Sequence, residues 1–104
     1  MKKLSIITPC YNEEVNVEIC AQELKKVMQE KLSGYEYEHI FADNASTDST
    51  LEKLREIARK DAHLKVISNS RNVGPFRNMW NAMKSATGDA VVPLLPADLQ
   101  DPPS

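Results

Sequence analysis

Leu4-Ser5-Ile6-Ile7-Thr8-Pro9-Cys10-Tyr11-Asn12-Glu13-Glu14 is the stretch whose reading decides the fold. Residues 4–8 form a short, β-branched apolar run, the pattern of a buried strand, and Pro9 is expected to end it. Asn12 then offers a helix N-cap, and Glu13 and Glu14 place negative charge where a helix N-terminus favours it. From Val15 to about Leu32, the residues Val17, Cys20, Ala21, Leu24, Val27 and Met28 recur at steps of three and four. That spacing predicts one helix with a single buried stripe, closed by Ser33-Gly34.

Outward from this unit the alternation repeats. A second strand is expected at about Tyr37 to Ala42, a polar loop over Asp43 to Asp48, and a helix from Ser49 to Lys60 with Leu51, Leu54, Ile57 and Ala58 turned inward. Asp48 is the expected N-cap of that helix, with Ser46 competing. A third strand follows at Leu64 to Ser68, then a turn-rich loop from Asn69 to Gly74. Pro75 suits the first turn of a helix reaching about Ala86. Gly88 reads as a helix stop, and Ala90 to Leu95 as a fourth strand, although Pro93 cannot donate to a sheet ladder. Strands alternating with helices predict an α/β fold: a mostly parallel four-stranded sheet with helices on both faces. Ligands of such sheets gather beyond the carboxyl ends of the strands, so Pro9–Glu13, Asp43–Asp48 and Pro96–Asp101 are expected to meet at one rim.

Composition narrows the function. The chain has 104 residues, enough for one domain, with 41% apolar and 27% charged residues and a net charge of −2. That balance disfavours a nucleic-acid footprint. No apolar run is long enough to span a membrane, and the start is too short for a signal peptide. Cys10 and Cys20 lack the number and spacing of a disulfide framework or zinc site, so they read as packing residues in a reduced, cytoplasmic setting. The order of residues Leu99 to Ser104 reads as the lead-in to another helix, which implies a domain fragment. There is no P-loop and no dinucleotide fingerprint. His39, flanking a strand, and His63, at a helix–strand turn, are expected in surface or capping roles. Arg71, Arg77 and Lys84 could meet phosphates, but solvated charges are the commoner case. Trp80 and Met83, three apart on one helix face, are expected in the core.

Three rim segments carry residues able to do chemistry. Tyr11 offers a flat face for a nucleobase, Glu13 a carboxylate that accepts base N–H groups, and Pro9 stiffens their turn; the plainer reading is an exposed turn before a helix. Asp43, Asn44, Ser46, Thr47 and Asp48 could bond a base edge and a ribose hydroxyl, or cap the next helix, and Asp48 reads as structural. Asp98, with Asp101 three residues on, could hold one hard divalent cation whose other positions go to water and a diphosphate; the alternative is a cap for the helix begun by Pro102-Pro103.

Residues 5–14, 43–50, 71–74, 86–89 and 97–103, in this order and spacing, resemble the nucleotide-sugar-binding half of a family 2 glycosyltransferase of the Rossmann-like GT-A fold. The last segment is most similar to the polyprenyl-phosphate sugar transferases, the group containing dolichol-phosphate mannose synthase. The resemblance implies one nucleotide-sugar-binding domain over residues 1–104, cut before the acceptor-binding half, and transfer of a sugar from a nucleoside diphosphate with inversion. Pro9, Tyr11 and Glu13 would cradle the base, Ala42 and Asn44 would sit at base and ribose, Asp98 and Gln100 would face the metal and diphosphate, and Ala97 would be a further substrate-binding residue. Asp98 would be the metal ligand, for Mg or Mn. Two departures stand out: Asn44 replaces an acid that many members carry, leaving uracil or guanine open, and Pro96 replaces the first acid of the family's Asp-x-Asp motif, which weakens the metal site. The implied partners are a UDP- or GDP-type sugar and an acceptor such as a lipid phosphate, at the cytoplasmic face of a membrane. The other reading kept open is a non-catalytic nucleotide-binding fragment or degenerate relative.

Overall fold

The computed structural model describes residues 2–69 and 71–93. Strand β1 (Lys3–Cys10) leads to helix α1 (Val17–Lys31), strand β2 (Glu36–Asp43), helix α2 (Thr50–Lys60), strand β3 (Leu64–Ser68), helix α3 (Pro75–Met83) and strand β4 (Ala90–Pro93). The sheet has the order β3-β2-β1-β4, and every pairing is parallel. The expected architecture is the one observed.

Strand alternation divides the core into two layers. Cys10 and Phe41 face α1 and α2, where they pack with Val17, Cys20, Ala21 and Leu54. Ile7, Ile40 and Ala42 face the other way and pack with Ala82 of α3. Ile7, Ile40 and Phe41 are completely buried, and each such side chain contributes about 1.5–3 kcal/mol.

Several expected boundaries move, each for a local reason. β1 runs through Pro9 instead of stopping before it. The Cys10 carbonyl accepts the Asn44 amide, so alternation turns the nitrogen of Pro9 to the flank away from β2, and the pairing with β2 continues through Pro9 without needing its missing N–H. Helix α1 starts at Val17, well after Asn12, because Asn12 adopts a left-handed backbone (φ 52°) and commits its side chain elsewhere. Val27 and Val15 lie outside the buried stripe and are exposed. The cap position of α2 is Ser49, not Asp48 or Ser46; Asp48 instead accepts the Thr50 amide (2.9 Å) and hydroxyl through Oδ1. Burial raises the Asp48 carboxyl, but these bonds outweigh it and hold it below the usual range.

Helix α3 ends at Met83 rather than Ala86, where the chain enters tight turns in which the Ser85 amide donates to the Ala82 carbonyl and the Ala86 amide to the Met83 carbonyl. Gly88 does not stop a helix. It runs so close beside β1 that a Cβ would lie 2.6 Å from Ser5 Oγ and 2.8 Å from the Lys3 carbonyl. Beside it, Glu38 accepts the Ser5 hydroxyl (2.6 Å) and the Thr87 amide (2.7 Å) and pairs with Lys65 (3.1 Å). Burial pushes the Glu38 carboxyl up, yet these partners bring it down to about 2.

Two core assignments are corrected. Trp80 is 59% exposed and Met83 is 42% exposed. α3 docks through Asn78 and Ala82, and at 100° per residue Trp80 lies roughly 200° around from Asn78. His39 is neither on the surface nor a cap: it is fully buried in β2, with its ring 4.2 Å from that of Phe41 and Nε2 2.8 Å from Thr8 Oγ1. Residues 94 and 95, the expected end of β4, lie outside the described residues.

Candidate functional site

At the carboxyl ends of β1 and β2 an open cleft of about 260 Å³ is lined by Pro9, Cys10, Tyr11, Glu13, Asn44, Asn72 and Asn78. Two of the three expected rim segments therefore converge. The third, with Pro96, Ala97, Asp98, Gln100 and Asp101, lies outside the described residues.

The first two segments are stitched together by Asn12. Its amide donates to Ser46 Oγ (2.9 Å), and its Oδ1 accepts the Thr47 amide (2.8 Å) and the Asp48 amide (3.3 Å). Asn is among the few residues that tolerate a left-handed backbone. Ser46 in turn donates to the buried Asp43. The Glu13 amide donates to Thr50 Oγ1 (2.8 Å), which ties the turn to the start of α2, and its carboxylate accepts from Asn16 Nδ2 (3.3 Å). With both sides braced, Tyr11 projects at the mouth, 44% exposed.

Asn44 is buried, and its amide is engaged on both ends. Oδ1 accepts the Val73 amide (3.0 Å) and Asn69 Nδ2 (3.3 Å), while Nδ2 donates to Asn72 Oδ1 (3.1 Å). Asn72 Oδ1 also accepts the Gly74 amide (2.9 Å). From Asn69 the network continues to Asn78 Oδ1 (2.8 Å), and Asn78 Nδ2 donates to the Ala42 carbonyl (2.9 Å). Five asparagines, counting Asn81 on Asn69 Oδ1 (3.3 Å), thus fasten the 69–74 loop and α3 to the end of β2. Asn72 and Asn78 line the cleft but carry no role in the sequence reading. Their signal was the run of asparagines after β3, whose partner on β2 no local pattern reveals. Ala42 itself is fully buried, with its side chain in the core beneath the cleft.

Cys10 and Cys20 are free and buried, and burial pushes both thiols up, reinforced at Cys10 by the charge of Asp43. Neither is an available nucleophile. His63 bonds Asp61 through Nδ1 (3.0 Å) and stacks on Tyr37 at the opposite end of the sheet. Among the described residues no cluster of His, Cys, Asp or Glu could hold a metal ion, and no helix is long and apolar enough to cross a membrane.

A rigid cleft with an aromatic ring, a carboxylate and an amide wall, at the strand ends of a parallel sheet, suits a nucleotide. The family model described as glycosyl transferase family 2 matches residues 5–104. The chain is similar to the uncharacterized glycosyltransferase YkcC of Bacillus subtilis, with 40% identity over 95% of this chain and 30% of the relative. It is also similar to a dolichol-phosphate mannosyltransferase of Pyrococcus furiosus, with 38% identity over 97% of this chain and 27% of the relative. It thus spans about a third or less of the curated relatives it matches. Among solved structures it resembles the mannosyltransferase PcManGT from Pyrobaculum calidifontis in complex with GDP-Man and Mn2+ (TM-score 0.79, 24% identity, 97% of this chain and 33% of that one). TarS of S. aureus in complex with UDP is a second likeness (TM-score 0.76, 33% identity, 92% of this chain and 27% of that one).

Proposed function

The chain belongs to glycosyl transferase family 2, and from that premise we propose that it forms the donor site of an enzyme transferring a sugar from a nucleoside diphosphate to a polyprenyl phosphate, with inversion. The carrying observation is the single cleft that collects Tyr11, Glu13 and Asn44 from two separate strand ends. Tyr11 stacks on the base, Glu13 accepts its N–H groups, and Pro9, near the end of β1, lines the cleft beside them. The Asn44 amide, fixed by Asn72 and Val73, forms the wall at base and ribose. UDP in TarS and GDP-Man in PcManGT support both bases as candidates, and the dolichol-phosphate relative supports a lipid phosphate acceptor.

A lipid phosphate monoester has its second pKa at about 6, so its oxyanion is a nucleophile without a general base. It attacks the anomeric carbon from the face opposite the leaving group; the new C–O bond forms as the bond to the nucleoside diphosphate breaks and its electron pair departs with the diphosphate. This chain's part is to hold the donor in that alignment, which is a large share of catalysis in a displacement of this kind. On the sequence pattern and the family resemblance, a cation would be held by Asp98, with Asp101 or water, where it would supply charge neutralisation on the diphosphate. Pro96 removes one carboxylate from that shell. We place the reaction at the cytoplasmic face of a membrane.

Thermal-shift measurements with UDP, GDP and their sugars, with and without Mn2+, test the reading. A true ligand at a hundred times its Kd stabilises by about 2.7 kcal/mol. Absence of a shift with every nucleotide overturns the assignment, and a shift indifferent to Mn2+ favours a nucleotide-binding module without chemistry. Pro96→Asp is expected to tighten Mn2+-dependent binding in calorimetry; equal affinity would remove that position from the metal site.

A further inference from the structure

The outer face of α3 joins exposed apolar and cationic side chains. Trp80 and Met83 are exposed there, and with Arg77 and Met79 they line a shallow hollow of about 440 Å³. On a helical projection Met83, Trp80, Lys84 and Arg77 fill one continuous arc of roughly 120°, opposite the docked Asn78 and Ala82. Lys84 Nζ lies 5.8 Å from the Trp80 ring centre, and neither Arg77 nor Lys84 joins an ion pair among the described residues.

Charge sets this face apart a second time. Between Asp61 and Asp89 the sequence holds Lys65, Arg71, Arg77 and Lys84 and no acidic residue, although the whole chain carries −2. Lys65 is drawn to Glu38, which leaves the other three cations at or beside α3. Val15, before α1, and Ile19, within it, differ: both are exposed but stand among Glu14, Glu18 and Glu23, which would repel an anionic surface. Tryptophan beside lysine and arginine, with apolar side chains between, is the composition that settles at a membrane interface.

We propose that the outer face of α3 docks on an anionic lipid bilayer, with Trp80 and Met83 entering the interface and Arg77 and Lys84 meeting lipid phosphates. α3 begins at the loop that walls the cleft, so docking would bring the donor site close to the membrane plane. The inference rests on this face alone and stands or falls separately from nucleotide binding.

Trp80 is the sole tryptophan, so its emission reports the contact directly. Titrating the 104-residue chain with phosphatidylglycerol vesicles is expected to shift that emission to the blue and carry the protein down with the vesicles. Phosphatidylcholine vesicles should bind far less, and added salt should reverse binding. Arg77→Glu with Lys84→Glu, both exposed, should leave the circular dichroism unchanged. Loss of the two cations alone should lower vesicle affinity about thirty-fold, at about 1 kcal/mol each, and the reversed charges add to it. No shift with phosphatidylglycerol, or equal affinity for both lipids, overturns the proposal. A blue shift that grows with protein concentration in the absence of vesicles also overturns it, and assigns the face to a second copy of the chain.

Discussion

At the scale of single residues, some side chains of the cleft face its opening and others brace it. Tyr11 is of the first kind, exposed just past β1. Tyr11→Ala is expected to weaken nucleotide binding by about 1–3 kcal/mol with an unchanged melting curve; calorimetry giving equal affinity would remove the stacking role. Asn12 is the opposite case. Its Oδ1 takes two loop amides, so Asn12→Ala should cost about 1–2 kcal/mol in denaturant unfolding, while Asn12→Asp, which keeps the acceptor and tolerates the left-handed backbone, should cost clearly less. Equal losses in both variants would show that Asn12 matters there neither through these bonds nor through its tolerance of the left-handed backbone. Tyr11 and Glu13 were legible in the sequence because strand ends of α/β sheets collect ligands. Asn72 and Asn78 were not, because their partners lie on other elements.

At the scale of elements, close approach of backbone decides what propensity leaves open. Gly88 read as a helix terminator, since glycine commonly ends helices. Its actual reason is the close approach to β1, where Ser5 Oγ accepts the Gly88 amide (2.8 Å). Gly88→Ala is therefore expected to destabilise by about 1–3 kcal/mol through overpacking, read as a lowered midpoint in chemical denaturation, whereas Gly34→Ala, with open space around it, should do far less. α3 shows the same limit. Spacing alone placed Trp80 and Met83 inward, because an apolar pair three apart normally marks a core face. The docked face instead uses Asn78 and Ala82, and Asn78 is buried because its amide satisfies the Ala42 carbonyl.

At the scale of the whole molecule, burial links stability to pH. His39 is enclosed, its Nδ1 has no hydrogen-bond partner, and burial lowers its pKa to about 4 against a weaker opposing pull from Asp61. The unfolded chain then binds a proton below about pH 6.5 that the folded chain resists until about pH 4. Stability should thus fall by up to about 3 kcal/mol across that window. Glu38, held at about 2, adds its own loss only below its unfolded value near 4.5. Between pH 6.5 and 4.5 the slope is therefore expected to flatten in His39→Gln; an unchanged slope in urea titrations would rule His39 out as its source. The order of strands and helices, the parallel sheet and the meeting of two rim segments, after β1 and after β2, all follow from the sequence alone, because periodicity and turn residues act over a few neighbours. Which asparagines wall the cleft, why Gly88 is glycine, and which side of α3 meets solvent were settled only by the tertiary structure, because each depends on a partner dozens of residues away whose distance and direction no local pattern encodes.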